Sequence, residues 1–190
     1  LVTGAGGYIG TVLTDMLLEN GATVVAYDRF FFGQTTLLNG YTPSDTRLRI
    51  VKKDIRDAAR ADFVGVDIVI DLAALSNDPS GDLEPELTWA INSGGRRHFA
   101  QVAKVAGVAR YIMSSTRSVY GAARYGLCNE DDPTDPLSIY AKSNLECELA
   151  VREMNDAGFT ACALRNATVF GLSRRMRFDL VVNLMTLSAF

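Results

Sequence analysis

Thr3-Gly4-Ala5-Gly6-Gly7-Tyr8-Ile9-Gly10 stands almost at the head of the chain and decides how everything after it is read. Gly4, Gly7 and Gly10 have the spacing G-x-x-G-x-x-G. Residues 1–3 read as the stub of a strand, and apolar residues then recur at Ile9, Val12, Leu13, Met16 and Leu17. That is the i, i+3, i+4 period of a helix with one buried face, and Gly21 closes it. Glycines between a strand and a helix have three physical uses: a tight turn, close approach of backbone to a pyrophosphate, and close packing of helix on strand. The unpaired N–H groups of the helix start carry the partial positive charge that phosphates seek. Alone the motif is weak. Its context is what counts: a second strand over 23–27 is followed at once by Asp28. An acid there accepts hydrogen bonds from adenosine ribose hydroxyls and repels a 2′-phosphate, so the expected cofactor is NAD rather than NADP. Arg29 either softens that preference or is a solvated loop residue.

Working outward, further short apolar or β-branched runs occupy 47–52, 67–72, 110–115 and 160–165, with helical periods over 84–107 and 139–157. Gly107 and Gly158 are read as their stops. The run 67–72 is nearly all apolar, as expected of a strand covered on both faces. Alternation of strands and helices predicts an α/β fold, a Rossmann-type doubly wound parallel sheet in three layers, α/β/α. Residues 30–46 are expected to form a loop with a broken helical turn. The expected division is an NAD-binding domain over 1–171 and, over 172–190, the start of a truncated substrate-binding region. Leu1 falls inside a strand and Phe190 inside an apolar segment, so both ends read as cut and the substrate domain as largely absent.

The 190 residues, 48% hydrophobic and 22% charged with net charge -3, suit one soluble α/β domain and carry no basic footprint for nucleic acid or an anionic membrane. No apolar run is long enough to span a bilayer. Cys128, Cys147 and Cys162 make no C-x-x-C pair and His98 is the lone histidine, so no metal site is expected. Scattered thiols suit a reducing cytoplasm.

Several ordered motifs follow the first: Asp54-Ile-Arg-Asp57, Leu72-Ala-Ala74, Asn92 with Gly95, Ser114-Ser-Thr-Arg-Ser-Val-Tyr-Gly121, Tyr140-Ala-Lys-Ser143, Leu164-Arg165 and Val169-Phe-Gly171. With these the chain resembles the extended short-chain dehydrogenase/reductase family, in its NAD-dependent sugar-nucleotide epimerase/dehydratase branch. The resemblance implies that Gly4, Gly7, Tyr8, Ile9, Gly10, Asp28 and Arg29 meet the dinucleotide and that Asp54 and Ile55 hold its adenine. It implies that Leu72, Ala73 and Ala74 form a small-residue floor beside the pyrophosphate and ribose, and that Asn92, Ser114 and Val169 complete the cofactor site. From the residues alone, Asp54 equally caps a turn and Leu72–Ala74 equally are core. The family also pairs the helices over 84–107 and 139–157 as a four-helix bundle, implying a homodimer; the sequence itself shows only apolar stripes.

By the same resemblance Tyr140 is the base that takes a proton while hydride passes to NAD, and the Thr116 hydroxyl holds the reacting oxygen of a nucleotide-diphosphate sugar. A tyrosine, ordinarily titrating near pH ~10, needs help to do this at neutral pH. In the family a lysine one helical turn further on favours the phenolate and binds the nicotinamide ribose. Here that position is Asn144, which offers a hydrogen bond to the ribose but no charge, and Lys142 lies on another face, roughly 200° around the axis. The expectation that follows is that Asn144→Lys raises turnover. Dehydratases of the family follow the threonine with Asp-Glu; Arg117 and Ser118 stand here, so epimerase leads, with a nucleotide-sugar dehydrogenase or reductase second and a catalytically impaired NAD-binding relative as the third reading. Thr168 stands where family members often place an asparagine that contacts the substrate phosphates. Arg174, Arg175 and Arg177 either meet a diphosphate or form a solvated loop. Phe30, Phe31 and Phe32 are expected to cover the adenosine end or enter the core. His98 reads as structural, and 130–132 as a solvated acidic turn.

Overall fold

Among the described residues, runs of β-branched and aromatic residues give six parallel strands: β1 Val2–Thr3, β2 Val24–Asp28, β3 Leu48–Lys52, β4 Ile68–Asp71, β5 Arg110–Thr116 and β6 Thr160–Asn166. The computed structural model describes residues 1–34, 46–76, 83–122 and 127–189. The strand order is β3-β2-β1-β4-β5-β6, so the chain reverses direction across the sheet between β1 and β4, the Rossmann arrangement. Alternate residues leave opposite faces of a strand. Leu1, Tyr27 and Val69 accordingly join one apolar cluster, and Val2, Ala26 and Ile70 the other. Of the expected loop over 30–46, residues 35–45 lie outside the described residues.

The described residues form five α-helices: α1 Tyr8–Glu19, α2 Pro85–Trp89, α3 Arg96–Val105, α4 Ile139–Arg152 and α5 Val181–Ser188. Among the described residues no helix is long and apolar enough to cross a membrane. The expected single helix over 84–107 is interrupted, because Ala90–Gly95 widens into a π turn between α2 and α3. Its Asn-Ser-Gly-Gly stretch is poor helix material. Gly95 has no room for a side chain either: a Cβ there would stand 2.8 Å from Arg56 Cγ.

Two expectations about helices are corrected. In α1 the buried residues are Tyr8, Gly10, Thr11, Thr14 and Leu18, while Ile9 and Met16 are 36% and 55% exposed. Small residues face the sheet at the helix start, which must lie close to β1, while Leu13, Leu17 and Leu18 pack on the core further along. In α4, Gly158 is not the stop. Helix ends at Arg152, where Asn155 Nδ2 donates to the Arg152 carbonyl and Asp156 Oδ1 accepts the N–H groups of Gly158 and Phe159. Local side-chain bonds there outcompete the helix ladder. Gly21 and Gly107 do close their helices, at φ 84 and 91, with Ala22 and Val108 N–H returning to Leu17 and Ala103 carbonyls.

Candidate active site

The turn after β1 is built around absent side chains. Gly4 leaves the strand at φ 64, and a Cβ there would stand 3.0 Å from the Leu72 carbonyl. Gly7 donates its N–H to the Gly4 carbonyl at 3.0 Å and precedes α1 with no side-chain cap. Gly10 rides over that same carbonyl, where a Cβ would approach to 2.1 Å. The N–H groups of the first turn of α1 therefore open onto a cradle cleared of side chains, which fits a dinucleotide diphosphate.

Asp28, the last residue of β2, accepts the N–H of Gly6 at 3.0 Å on one oxygen and that of Phe30 at 2.5 Å on the other. The carboxylate is held in position with lone pairs still open to ribose hydroxyls. Arg29 turns to Asp54 at 3.0 Å, so its charge is committed to an ion pair and is not poised to welcome a 2′-phosphate. Asp54 also caps the turn Ile55–Asp57 through Arg56 N–H at 2.9 Å and takes the Arg56 guanidinium on both oxygens. Arg56 holds its carboxyl down to about 2. With its acceptor sites engaged, Asp54 can take an adenine amine only if one arginine contact yields. Ile55 is buried in the core.

Phe30 enters the core, whereas Phe31 and Phe32, 71% and 63% exposed, do not. Arginines stack on them instead, Arg29 over Phe31 at 4.5 Å and Arg175 over Phe32 at 3.7 Å. Arg174 pairs with Asp15 and Arg177 with Asp179. His98 meets the Ala58 carbonyl at 3.1 Å, a structural contact.

Across the strand reversal, Thr3 Oγ1 donates to Asp71 Oδ1 at 2.6 Å and accepts the N–H groups of Leu72 and Ala73 at 3.0 and 3.1 Å. This ties the exits of β1 and β4 and sets Leu72 and Ala73 beside the glycine turn. Asn92, fully buried, clamps Leu75 at both its N–H (2.8 Å) and its carbonyl (3.0 Å). Beneath lies a buried polar group that no sequence motif marks. Asp71 Oδ2 accepts from Tyr111 Oη and from Arg96 Nε, each at 2.8 Å, with all three residues fully buried. Burial works against the Arg96 charge, but Asp71, Cys147 and Tyr111 together more than offset it and keep the guanidinium protonated. The same burial pushes the Tyr111 hydroxyl well up. The signal that could have revealed Arg96 is its register: it shares the stripe of Asn92, Phe99, Ala100 and Ala103, all buried.

Thr116 ends β5 at 7% exposure, and its Oγ1 accepts Ser118 N–H at 3.1 Å to cap the turn Arg117–Tyr120. The cap uses a lone pair and leaves the hydroxyl hydrogen for another acceptor. Ser114 accepts Asn166 Nδ2 at 3.0 Å on its hydroxyl and Arg96 at 2.8 Å on its carbonyl. Tyr140 lies in the first turn of α4, which Ser138 caps through Ala141 N–H at 3.2 Å, and α4 packs on both β5 and the 117–120 turn. Asn144 faces inward at 1% exposure: its Oδ1 accepts Arg96 at 2.8 Å and its Nδ2 donates to the Tyr140 carbonyl at 2.8 Å. Both ends of its amide are thus engaged within the protein. Arg165 forks onto the buried Glu148, which also accepts Ser115 Oγ at 2.9 Å, and reaches Tyr120 Oη at 2.7 Å. Thr168 and Val169 are exposed at the chain's exit from β6. Tyr8 donates its hydroxyl to the Gly171 carbonyl at 2.6 Å.

A family model described as NAD dependent epimerase/dehydratase family matches residues 1–185. A UDP-glucose 4-epimerase of Mycolicibacterium smegmatis is 32% identical over 179 residues, covering 90% of this chain and 56% of that protein. Among solved structures, UDP-glucuronic acid 4-epimerase from Bacillus cereus, in complex with UDP-glucuronic acid and NAD, is 27% identical with a TM-score of 0.82, over 96% of this chain and 60% of that one. DesIV, a dTDP-glucose 4,6-dehydratase from Streptomyces venezuelae with NAD bound, is 26% identical with a TM-score of 0.86, over 99% and 61% respectively. The chain thus spans somewhat over half the length of these relatives.

Proposed function

The chain belongs to the NAD-dependent epimerase/dehydratase family, and from that premise we propose that it is the NAD-binding part of an epimerase acting on a nucleotide-diphosphate sugar. The observation that carries this reading is the glycine-cleared cradle at the start of α1, with Asp28 fixed at the end of the neighbouring strand. NAD, when bound, supplies a reversible hydride acceptor. Gly4, Gly7 and Gly10 would admit its diphosphate, Asp28 would accept the adenosine ribose, and Leu72, Ala73 and Ala74 would floor the site. Thr116 would donate to the sugar oxygen that reacts and Tyr140 would exchange its proton. Thr168 would contact the substrate phosphates, and most other sugar contacts would come from the region after 171.

Epimerisation is favoured over dehydration because elimination of water needs an acid and a base beside Thr116. The turn there offers Arg117 and Ser118. Asn144 favours a second reading, an NAD-binding relative with impaired chemistry, since position 144 brings no charge of its own. We also propose a homodimer through the outer faces of α3 and α4.

Calorimetry with NAD and NADP, then incubation with a panel of UDP- and dTDP-sugars and product analysis by NMR, tests the proposal. NAD is expected to bind at least about tenfold more tightly than NADP, and one sugar to be converted to its epimer. No affinity for either dinucleotide would overturn it. Binding without conversion of any sugar would select the impaired relative.

A further inference from the structure

Asn144, one helical turn beyond Tyr140, is uncharged, yet a cation touches it. Arg96 is buried with 0% exposure, and its fork reaches four acceptors: Asp71 Oδ2 at 2.8 Å, the Asp71 carbonyl at 3.1 Å, the Ser114 carbonyl at 2.8 Å and Asn144 Oδ1 at 2.8 Å. From the other end of the same amide, Asn144 Nδ2 donates to the Tyr140 carbonyl at 2.8 Å. One continuous file of contacts, Asp71–Arg96–Asn144–Tyr140, runs from β4 through α3 to the first turn of α4.

We propose that Arg96 carries the buried cation of this site and that Asn144 is the adaptor joining it to the turn that bears Tyr140. Arg96 is thus a positioning residue, acting through Asn144. The inference rests on the reading of Tyr140 as the proton-exchanging group. Asparagine suits the adaptor place for a specific reason. Arg96 needs an acceptor and the Tyr140 carbonyl meets a donor, and an amide supplies both without charge. Aspartate would bring a second anion and no donor; leucine would strand a guanidinium N–H in the core.

A lysine at 144 meets a different obstacle. Its ammonium would enter a buried space where one guanidinium is already balanced by one carboxylate, and two cations would share Asp71. The expectation from sequence, that Asn144→Lys raises turnover, is therefore reversed so long as Arg96 is present. The charge can move to α4 only if it leaves α3.

The test is a charge exchange in the full chain: Asn144→Lys, Arg96→Ser, the double variant R96S/N144K, and Asn144→Leu. Thermal midpoint, NAD affinity by calorimetry, and kcat and KM on any sugar the unaltered protein converts are measured for each. Both charge-altering single variants are expected to lower the midpoint by roughly 10 °C and to weaken NAD by about tenfold or more. The double variant should recover most of both losses. Asn144→Leu should cut kcat about tenfold while KM stays within about twofold, a split that a merely structural contact does not give. Losses that simply add in the double variant, including a double variant that does not fold, would overturn the proposal, as would Asn144→Lys behaving like the unaltered protein. Failure of the family reading looks different. If the unaltered protein converts no sugar, the role of Tyr140 falls, yet recovery or its absence in midpoint and NAD affinity still judges the Arg96–Asn144 exchange.

Discussion

Gly10, inside α1, and Gly21, just past its end, resist substitution for different reasons. A Cβ on Gly10 would meet the Gly4 carbonyl at 2.1 Å, whereas Gly21 has nothing within 4 Å and only its φ of 84 objects. Gly10→Ala is expected to cost about 2 kcal/mol or more and to weaken NAD at least about tenfold, because the carbonyl it displaces shapes the cradle. Gly21→Ala is expected to cost about 1–2 kcal/mol with NAD affinity unchanged. Urea melts paired with calorimetry separate the two, and equal NAD affinity in both variants would deny the cradle its role. Asp54 gives a second residue-scale prediction. Arg56 lowers its carboxyl from the ordinary 3.8 to about 2, so the stabilisation is fully present above the unfolded value and is lost as pH falls through that interval. The thermal midpoint of the Asp54→Asn variant should therefore lie below that of the unaltered protein near pH 5 and converge with it toward pH 2; parallel curves would refute the assignment. The spacing of the glycines and the placing of Asp28 were legible in sequence because local backbone geometry alone demands them. Arg96 was not, because a charged residue beside Arg97 and His98 looks solvated until its partner Asp71, 25 positions away, is known.

Elements were legible to within a residue or two where packing and propensity agree, as in β5 and β6, and misread where a close approach overrides apolar period. In α1 the apolar residues Ile9 and Met16 are given up to solvent so that Gly10, Thr11 and Thr14 can face the sheet. Periodicity counts hydrophobic residues and does not register how near a helix start must come to a strand. The interruption of the 84–107 helix was hidden for a related reason: a π turn keeps the helical period roughly intact while shifting register at Asn92, whose amide then reaches Leu75. One hydroxyl reinforces the backbone ladder that joins β1 to β4. Thr3→Val keeps the shape but removes the donor to Asp71 and the acceptor for Leu72 and Ala73 N–H. Its expected cost is about 2–4 kcal/mol, with NAD affinity reduced as the Leu72–Ala74 floor loosens, while Thr3→Ser should keep most of both. Chemical denaturation of the two variants decides this, and a valine variant as stable as the serine one would rule it out.

At the scale of the whole molecule, alternation of strands and helices was enough to name a doubly wound sheet, yet it contained nothing about what the residues after β6 would hold on to. They return to the beginning of the chain. Tyr8 Oη donates to the Gly171 carbonyl at 2.6 Å and accepts Asn183 Nδ2 at 3.0 Å, and Ser173 Oγ donates to the Tyr8 carbonyl at 2.7 Å. The apolar residues of α5 contribute little to this attachment: Val181, Met185 and Leu187 are 64%, 66% and 57% exposed, and Asn183, at 8%, is its buried residue. A helix so placed depends on polar ties rather than on area removed from water, and the tie passes through the first helical residue after the glycine turn. Removing one hydroxyl should then release the segment without unfolding the sheet. Tyr8→Phe is expected to cost about 1–1.5 kcal/mol in the local stability of residues 171–188, speeding their amide exchange roughly tenfold, while exchange in β2 and β5 stays as it was. Hydrogen exchange read by mass spectrometry on the two proteins checks this directly. Uniform acceleration across the strands would mean that the segment opens only with the whole domain, and no acceleration anywhere would mean that the Tyr8 hydroxyl does not hold it.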